Sequence, residues 1–122
     1  MLPIVPDPQS VTVISSLGTE VFNGSAVTLT CSVQMNQNLL PSELSLLIVN
    51  ASITKPCGTV LVLSNPVIKD TAYKFTAQVN SFGDYVGNYA CNATVRPEPS
   101  LTYLTGMGQL VSNPIKIVFF SE

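Results

Sequence analysis

Two alternating runs, each with a cysteine on its apolar side, constrain this chain more than any other feature. The first is Ala26-Val27-Thr28-Leu29-Thr30-Cys31-Ser32-Val33. Side chains of a strand point to opposite faces in turn, so Val27, Leu29, Cys31 and Val33 share one side. Thr28, Thr30 and Ser32 share the other. The second run is Asp84-Tyr85-Val86-Gly87-Asn88-Tyr89-Ala90-Cys91, where the same parity groups Gly87, Tyr89, Cys91 and Ala93. Two half-buried strands, each with an inward cysteine, can be tied across the layers of a β-sandwich.

The chain has room for one such core. At 122 residues and 46% hydrophobic content it is too short for two ordinary domains. Only 10% of residues are charged and the net charge is −2, with Arg96 the only arginine. No basic stripe exists to neutralise phosphates, so nucleic-acid binding is not expected. The longest apolar stretches, 44–49 and 60–63, fall far short of the ~20 residues that cross a bilayer, so direct membrane insertion is not expected either.

Residues 1–9 carry Pro3, Pro6 and Pro8 and lack the basic start and apolar run of a secretory signal. They read as a linker or added leader ahead of a domain over 10–120, taken from a longer protein. Extended segments are expected at 10–15, 20–22, 25–34, 44–49, 57–64, 67–69, 73–79, 88–95 and 115–119. The turn dipeptide Asn23-Gly24 and the breaks at Pro41 and Asn65-Pro66 separate several of them, and residues 50–56 read as a turn. Nearly twenty residues lie between the last two clear strands. A structureless connection of that length is uncommon, so 101–105 and 108–111 are expected to extend and to turn near Gly106-Met107-Gly108.

The paired patterns V-T-L-T-C, ending at Cys31, and G-N-Y-A-C, ending at Cys91, resemble the two cysteine strands of the immunoglobulin superfamily, variable or intermediate type. Tyr89, two residues before the second cysteine, resembles the family's tyrosine corner. The resemblance covers about 10–119 and implies an all-β Greek-key sandwich with one inter-sheet disulfide, Cys31 to Cys91. It also implies that 10–15 and 20–22 are one edge strand that changes sheet. The tryptophan this family packs against its disulfide is missing, because the chain has no tryptophan. Leu46 is the candidate for that slot, with Leu44 the alternative, and Phe75 is expected to fill the remaining space beside Val27, Leu29 and Tyr89. The family's aspartate six residues before the second cysteine is also displaced. Asp84 stands one place earlier, with Lys69 the nearest base. The stretch from F-T-A-Q-V-N-S-F-G to Y-L-T-G-M-G is similar to ectodomain modules of invertebrate receptors, receptor tyrosine kinases and self-recognition adhesion proteins among them.

Catalytic chemistry has little to work with. There is no histidine, the commonest general base and metal ligand. Cys57 has no imidazole to activate it and reads as a thiol left unpaired or bonded to another chain or domain. The seven carboxylates are scattered, with no calcium-loop spacing. No enzyme activity, cofactor or metal is expected. Three sequons, at Asn23, Asn50 and Asn92, are candidate N-glycosylation sites and fit an extracellular setting, as does the implied disulfide.

The candidate partner surface is the segment 96–110, with Leu101, Tyr103, Leu104, Met107 and Leu110. By the resemblance it is the F–G connection, a recognition loop in variable-type domains. These side chains either contact a partner or fold back over their own GFC sheet. Two functions remain open. One is a recognition module that binds a protein or a second copy of itself, a homodimer included, through the F–G segment and GFC sheet. The other is a structural spacer in a tandem array. Because Asn92 points out of the sheet that carries it, a glycan there would block face-to-face pairing through that sheet.

Overall fold

The structure is a computed structural model that describes residues 4–22, 24–80 and 86–120. Among these residues ten strands and one short helix are defined: β1 Ser10–Ser15, β2 Glu20–Phe22, β3 Ala26–Gln34, α1 Pro41–Leu44, β4 Leu47–Thr54, β5 Val60–Val62, β6 Val67–Lys69, β7 Ala72–Asn80, β8 Gly87–Pro97, β9 Gly108–Val111 and β10 Ile115–Phe120. One sheet has the order β1-β3-β7-β6, and the other has β2-β10-β8-β4-β5 with β9 also on β8. Neighbours are antiparallel except β2 and β10, which run parallel. The edge strand does change sheet: β1 lies on β3, and β2 lies on β10.

Alternation builds the core. Val27, Leu29, Cys31 and Val33 of β3 face Tyr89, Cys91, Ala93 and Val95 of β8, and all are fully buried. Cys31 and Cys91 are bonded across the two layers. This is an immunoglobulin-like β-sandwich. Cys31 stands opposite Phe75 of β7, and Cys91 stands opposite Ile53 of β4, so each sulfur has a large apolar neighbour in its own sheet. Phe75 and Tyr89 are buried at 3% and 0% exposure.

The strand expected at 44–49 begins later. Pro41 opens a helical turn, and the Glu43 carboxylate accepts a hydrogen bond from the Leu40 amide at 3.0 Å. That local capping outcompetes extension of an apolar run with no clear parity. β4 therefore starts at Leu47, passes through the expected turn and continues to Thr54. Leu44 and Leu46 are in consequence partly buried at the margin of the core, while Ile53, at 0% exposure, stands opposite Cys91.

The described part of the leader, from residue 4, packs on the sandwich. Val5 and Pro8 are buried, and the Val5 amide donates to the Thr105 carbonyl at 3.0 Å. The Asp7 carboxylate accepts from the Gln109 amide at 3.1 Å. Gly108 makes this crossing possible. A Cβ there would lie 2.1 Å from the Pro6 carbonyl oxygen and 3.0 Å from the Asp7 Cα.

The last strand is interrupted rather than continuous. Between β9 and β10, the Ser112 hydroxyl accepts from the Cys91 amide at 2.9 Å, and the Ser112 amide donates to the Cys91 carbonyl at 2.8 Å. The side chain thus completes the ladder where Asn113-Pro114 breaks it. The E–F corner, with Asp84 and Tyr85, lies outside the described residues.

Two stability outcomes follow from this packing. Ile53→Ala is expected to cost about 2–5 kcal/mol, and Leu46→Ala clearly less, as compared by urea midpoints. Gly108→Ala is expected to cost about 1–3 kcal/mol by overpacking against the leader, with faster proteolysis ahead of residue 10 as a second readout.

Candidate functional site

Strand registers bring three segments to one end of the sandwich. Gln34 ends β3 opposite Ser10, and Leu47 begins β4 opposite Pro97 of β8. The leader, the β3–β4 connection and the β8–β9 connection therefore meet there. A hydrogen bond from the Glu98 amide to the Leu46 carbonyl, 2.9 Å, joins the latter two. Ile4 forms a single parallel bridge with Thr105, which joins the leader to the third.

Residues 98–107 form no strand, although β9 does start at Gly108 as expected. The segment is shaped by local bonds. The Leu101 amide donates to the Glu98 carbonyl at 2.9 Å, and the Glu98 carboxylate accepts from the Ser100 amide and hydroxyl. Gly106, at φ 98°, takes the left-handed conformation that the turn into β9 requires.

The five candidate contact residues divide in two. Leu104 is buried at 3% exposure, and Leu101 and Leu110 pack partly buried against the core. These three pack toward the chain's own sandwich, the second of the two arrangements open to this segment, with Leu104 the most deeply placed. Tyr103 and Met107 stand out, at 51% and 47% exposure. Ile4 and Leu40, on the other two segments at this end, are exposed as well. Sequence reasoning did not place these last two. Their signal was only that each is a large apolar residue next to a proline or a polar loop.

The outer face of the second sheet is nearly uncharged at its centre. Asn50, Ser52 and Thr54 of β4 point outward beside Asn92 and Thr94 of β8, because Val49 and Ile53, and Cys91, Ala93 and Val95, point in. Gln109 of β9 donates through Nε2 to the Asn92 carboxamide oxygen at 3.2 Å. Val62 and Val111 flank this polar centre and are exposed. Asn23 lies outside the described residues.

Two other features bear on chemistry. A groove of about 510 Å³ opens between β4 and β6, lined largely by apolar groups including Leu44, Leu47, Val49 and Ile68. Its titratable members are Asp70 and Tyr73, and burial pushes the Tyr73 phenol up, so it stays a neutral hydroxyl. Among the described residues no group of three or more His, Cys, Asp or Glu side chains is placed to hold a metal ion.

Cys57 is the free cysteine among the described residues and lies exposed at the tip of the β4–β5 hairpin. The turn is closed by the Lys55 amide to the Thr59 carbonyl, 2.8 Å. The Thr59 hydroxyl, 2.9 Å from the sulfur, favours the thiolate and holds the thiol below its ordinary range, with small help from Lys55.

No family model matches the chain, and no curated protein matches it. Among solved structures it is similar to the filamin domain of Lin-41, at 12% identity and a TM-score of 0.48, over 93% of this chain and 97% of that one. The assignment of the fold rests on the strand order, the registers and the inter-sheet disulfide.

The thiol supplies a direct check on the hairpin geometry. Alkylation of Cys57 should reach half its maximal rate at a pH below that of an ordinary thiol. Thr59→Val removes the hydrogen bond to the thiolate and should move that midpoint upward, as read from iodoacetamide rates across pH.

Proposed function

We propose that this chain is a non-catalytic recognition module that binds a protein partner, a second copy of itself included, outside the cell or on its surface. It would act as part of a membrane-anchored or secreted protein. The contact is made by the end that carries residues 98–107 and by the adjoining outer face of the second sheet. One observation carries this reading: Tyr103 and Met107 are exposed while their apolar neighbours Leu101 and Leu104 pack inward. A segment that served only to cover the sandwich would have no use for those two side chains in solvent. Tyrosine gives rigid amphipathic area at low entropic cost, and methionine adapts to its partner's shape. Ile4 and Leu40 enlarge the same apolar end. The disulfide supports an oxidising compartment.

Sedimentation velocity at rising concentration tests the self-recognition form. The parent chain should self-associate, and Tyr103→Ser with Met107→Ser should weaken that association at least about tenfold, the equivalent of ~1.4 kcal/mol. Because both residues are exposed, the double variant should keep the parent's urea midpoint. A parent that stays monomeric, or a variant that associates equally well, would leave the spacer role as the better account.

A further inference from the structure

The registers of β4 and β8 bring two of the sequons together in a way neither shows alone. Asn50 pairs with Thr94, and Ser52 pairs with Asn92. The motifs Asn50-Ala51-Ser52 and Asn92-Ala93-Thr94 therefore interlock across one pair of strands, each acceptor asparagine opposite the other motif's hydroxyl residue. All four side chains lie on the outer face. Directly opposite pairs have Cβ atoms about 4.5–5.5 Å apart and diagonal ones about 7–8 Å, so two branched glycans would rise from almost the same point.

The two asparagines are not equivalent. Asn92 sits on an inner strand with Ser52 of β4 on one side and Val111 of β9 on the other. It is half-buried, and its carboxamide oxygen is held by Gln109. Asn50 is exposed, and β5 pairs with β4 only at Ser52, Ile53 and Thr54, so its flank on that side is open among the described residues. The row through Val62, Ser52, Asn92 and Val111 runs beside it, and it ends on two valines exposed at 87% and 54%.

We propose that Asn50 is the N-glycosylation site of this face, that Asn92 stays unmodified, and that the glycan on Asn50 covers the centre of the second sheet. The donor is a lipid-diphosphate-linked oligosaccharide. The Asn50 Nδ2–C1 bond forms as the bond from C1 to the diphosphate oxygen breaks; the lipid diphosphate leaves with the electron pair, and the amide proton passes to a base of the transferase. Modification occurs on the extended chain; a sugar at Asn50 leaves the Gln109 contact in place as the chain folds, whereas one at Asn92 would crowd it, so the folded, secreted protein is the one that carries its glycan on Asn50. The sugar's apolar faces lie over Val62 and the neighbouring backbone, which confines protein recognition to the end carrying Tyr103 and Met107. The inference rests on the extracellular reading above and narrows it to one surface.

The test uses the full chain secreted from insect cells behind an added signal peptide, with intact mass and glycopeptide mapping before and after enzymatic deglycosylation. Asn50→Gln should remove one glycan from the mass, and Asn92→Gln should leave the mass of the attached sugar unchanged. A glycan on Asn92, on both asparagines or on neither would overturn the assignment. Shielding is read separately with Val62→Cys in a Cys57→Ser background. Labelling of the new thiol by a maleimide polymer should be at least about fivefold slower before deglycosylation than after, and equal rates would overturn the shielding. Neither readout depends on Tyr103 or Met107, so failure here is distinct from failure of the recognition role.

Discussion

The bond between Cys31 and Cys91 joins the two sheets across their packed interior, and it closes a separation of 60 positions. By chain-entropy reasoning a loop of that size stabilises the fold by roughly 4 kcal/mol. That is comparable with the whole net stability of a small domain. Both sulfurs sit in dry, filled surroundings. Phe75 stands beside one and Ile53 beside the other, and the Ser112 hydroxyl holds the Cys91 amide where the last strand breaks. With no tryptophan in the chain, an aliphatic and a phenyl side chain flank the disulfide, one in each sheet.

Where local and tertiary signals agreed, the sequence was legible to the residue. Ser10–Ser15, Glu20–Phe22 and Val67–Lys69 form strands within the limits that alternation and the adjacent turn residues suggest. The failures have particular causes. Around Leu44 to Val49 every residue but Ser45 is apolar, so parity cannot tell which side faces in, and the capped turn at Pro41 decided the matter. That residues 4–8 pack on the sandwich was hidden because prolines argue against a central strand but not against packing beside one. Gly108 held the missing clue, a residue without a Cβ where another backbone must pass.

The candidate site was legible in composition and illegible in orientation. Segment 98–107 has no strand or helix period, so nothing in the order of Leu101, Tyr103, Leu104 and Met107 tells which of them turns inward. Only the fold of the segment around Glu98 and Gly106 sorts them. The interlocking of two sequons is beyond sequence reading for a similar reason. It depends on a pairing register between strands forty positions apart, and β4 had first to be extended past its expected end.

The bridge between Ile4 and Thr105 places residue 4 at the same end of the sandwich as the segment that carries Tyr103. β8 runs toward the end that bears Tyr103, and β10 runs back from it, so Phe120 emerges at the far pole beside Phe22. Any neighbour attached ahead of residue 4 would be anchored within reach of the apolar pole. One attached after residue 120 would hang clear of it. In a linear array, the domain at the amino-terminal tip would therefore meet other molecules unobstructed, whereas the same sequence placed further in would have its apolar pole crowded by its predecessor.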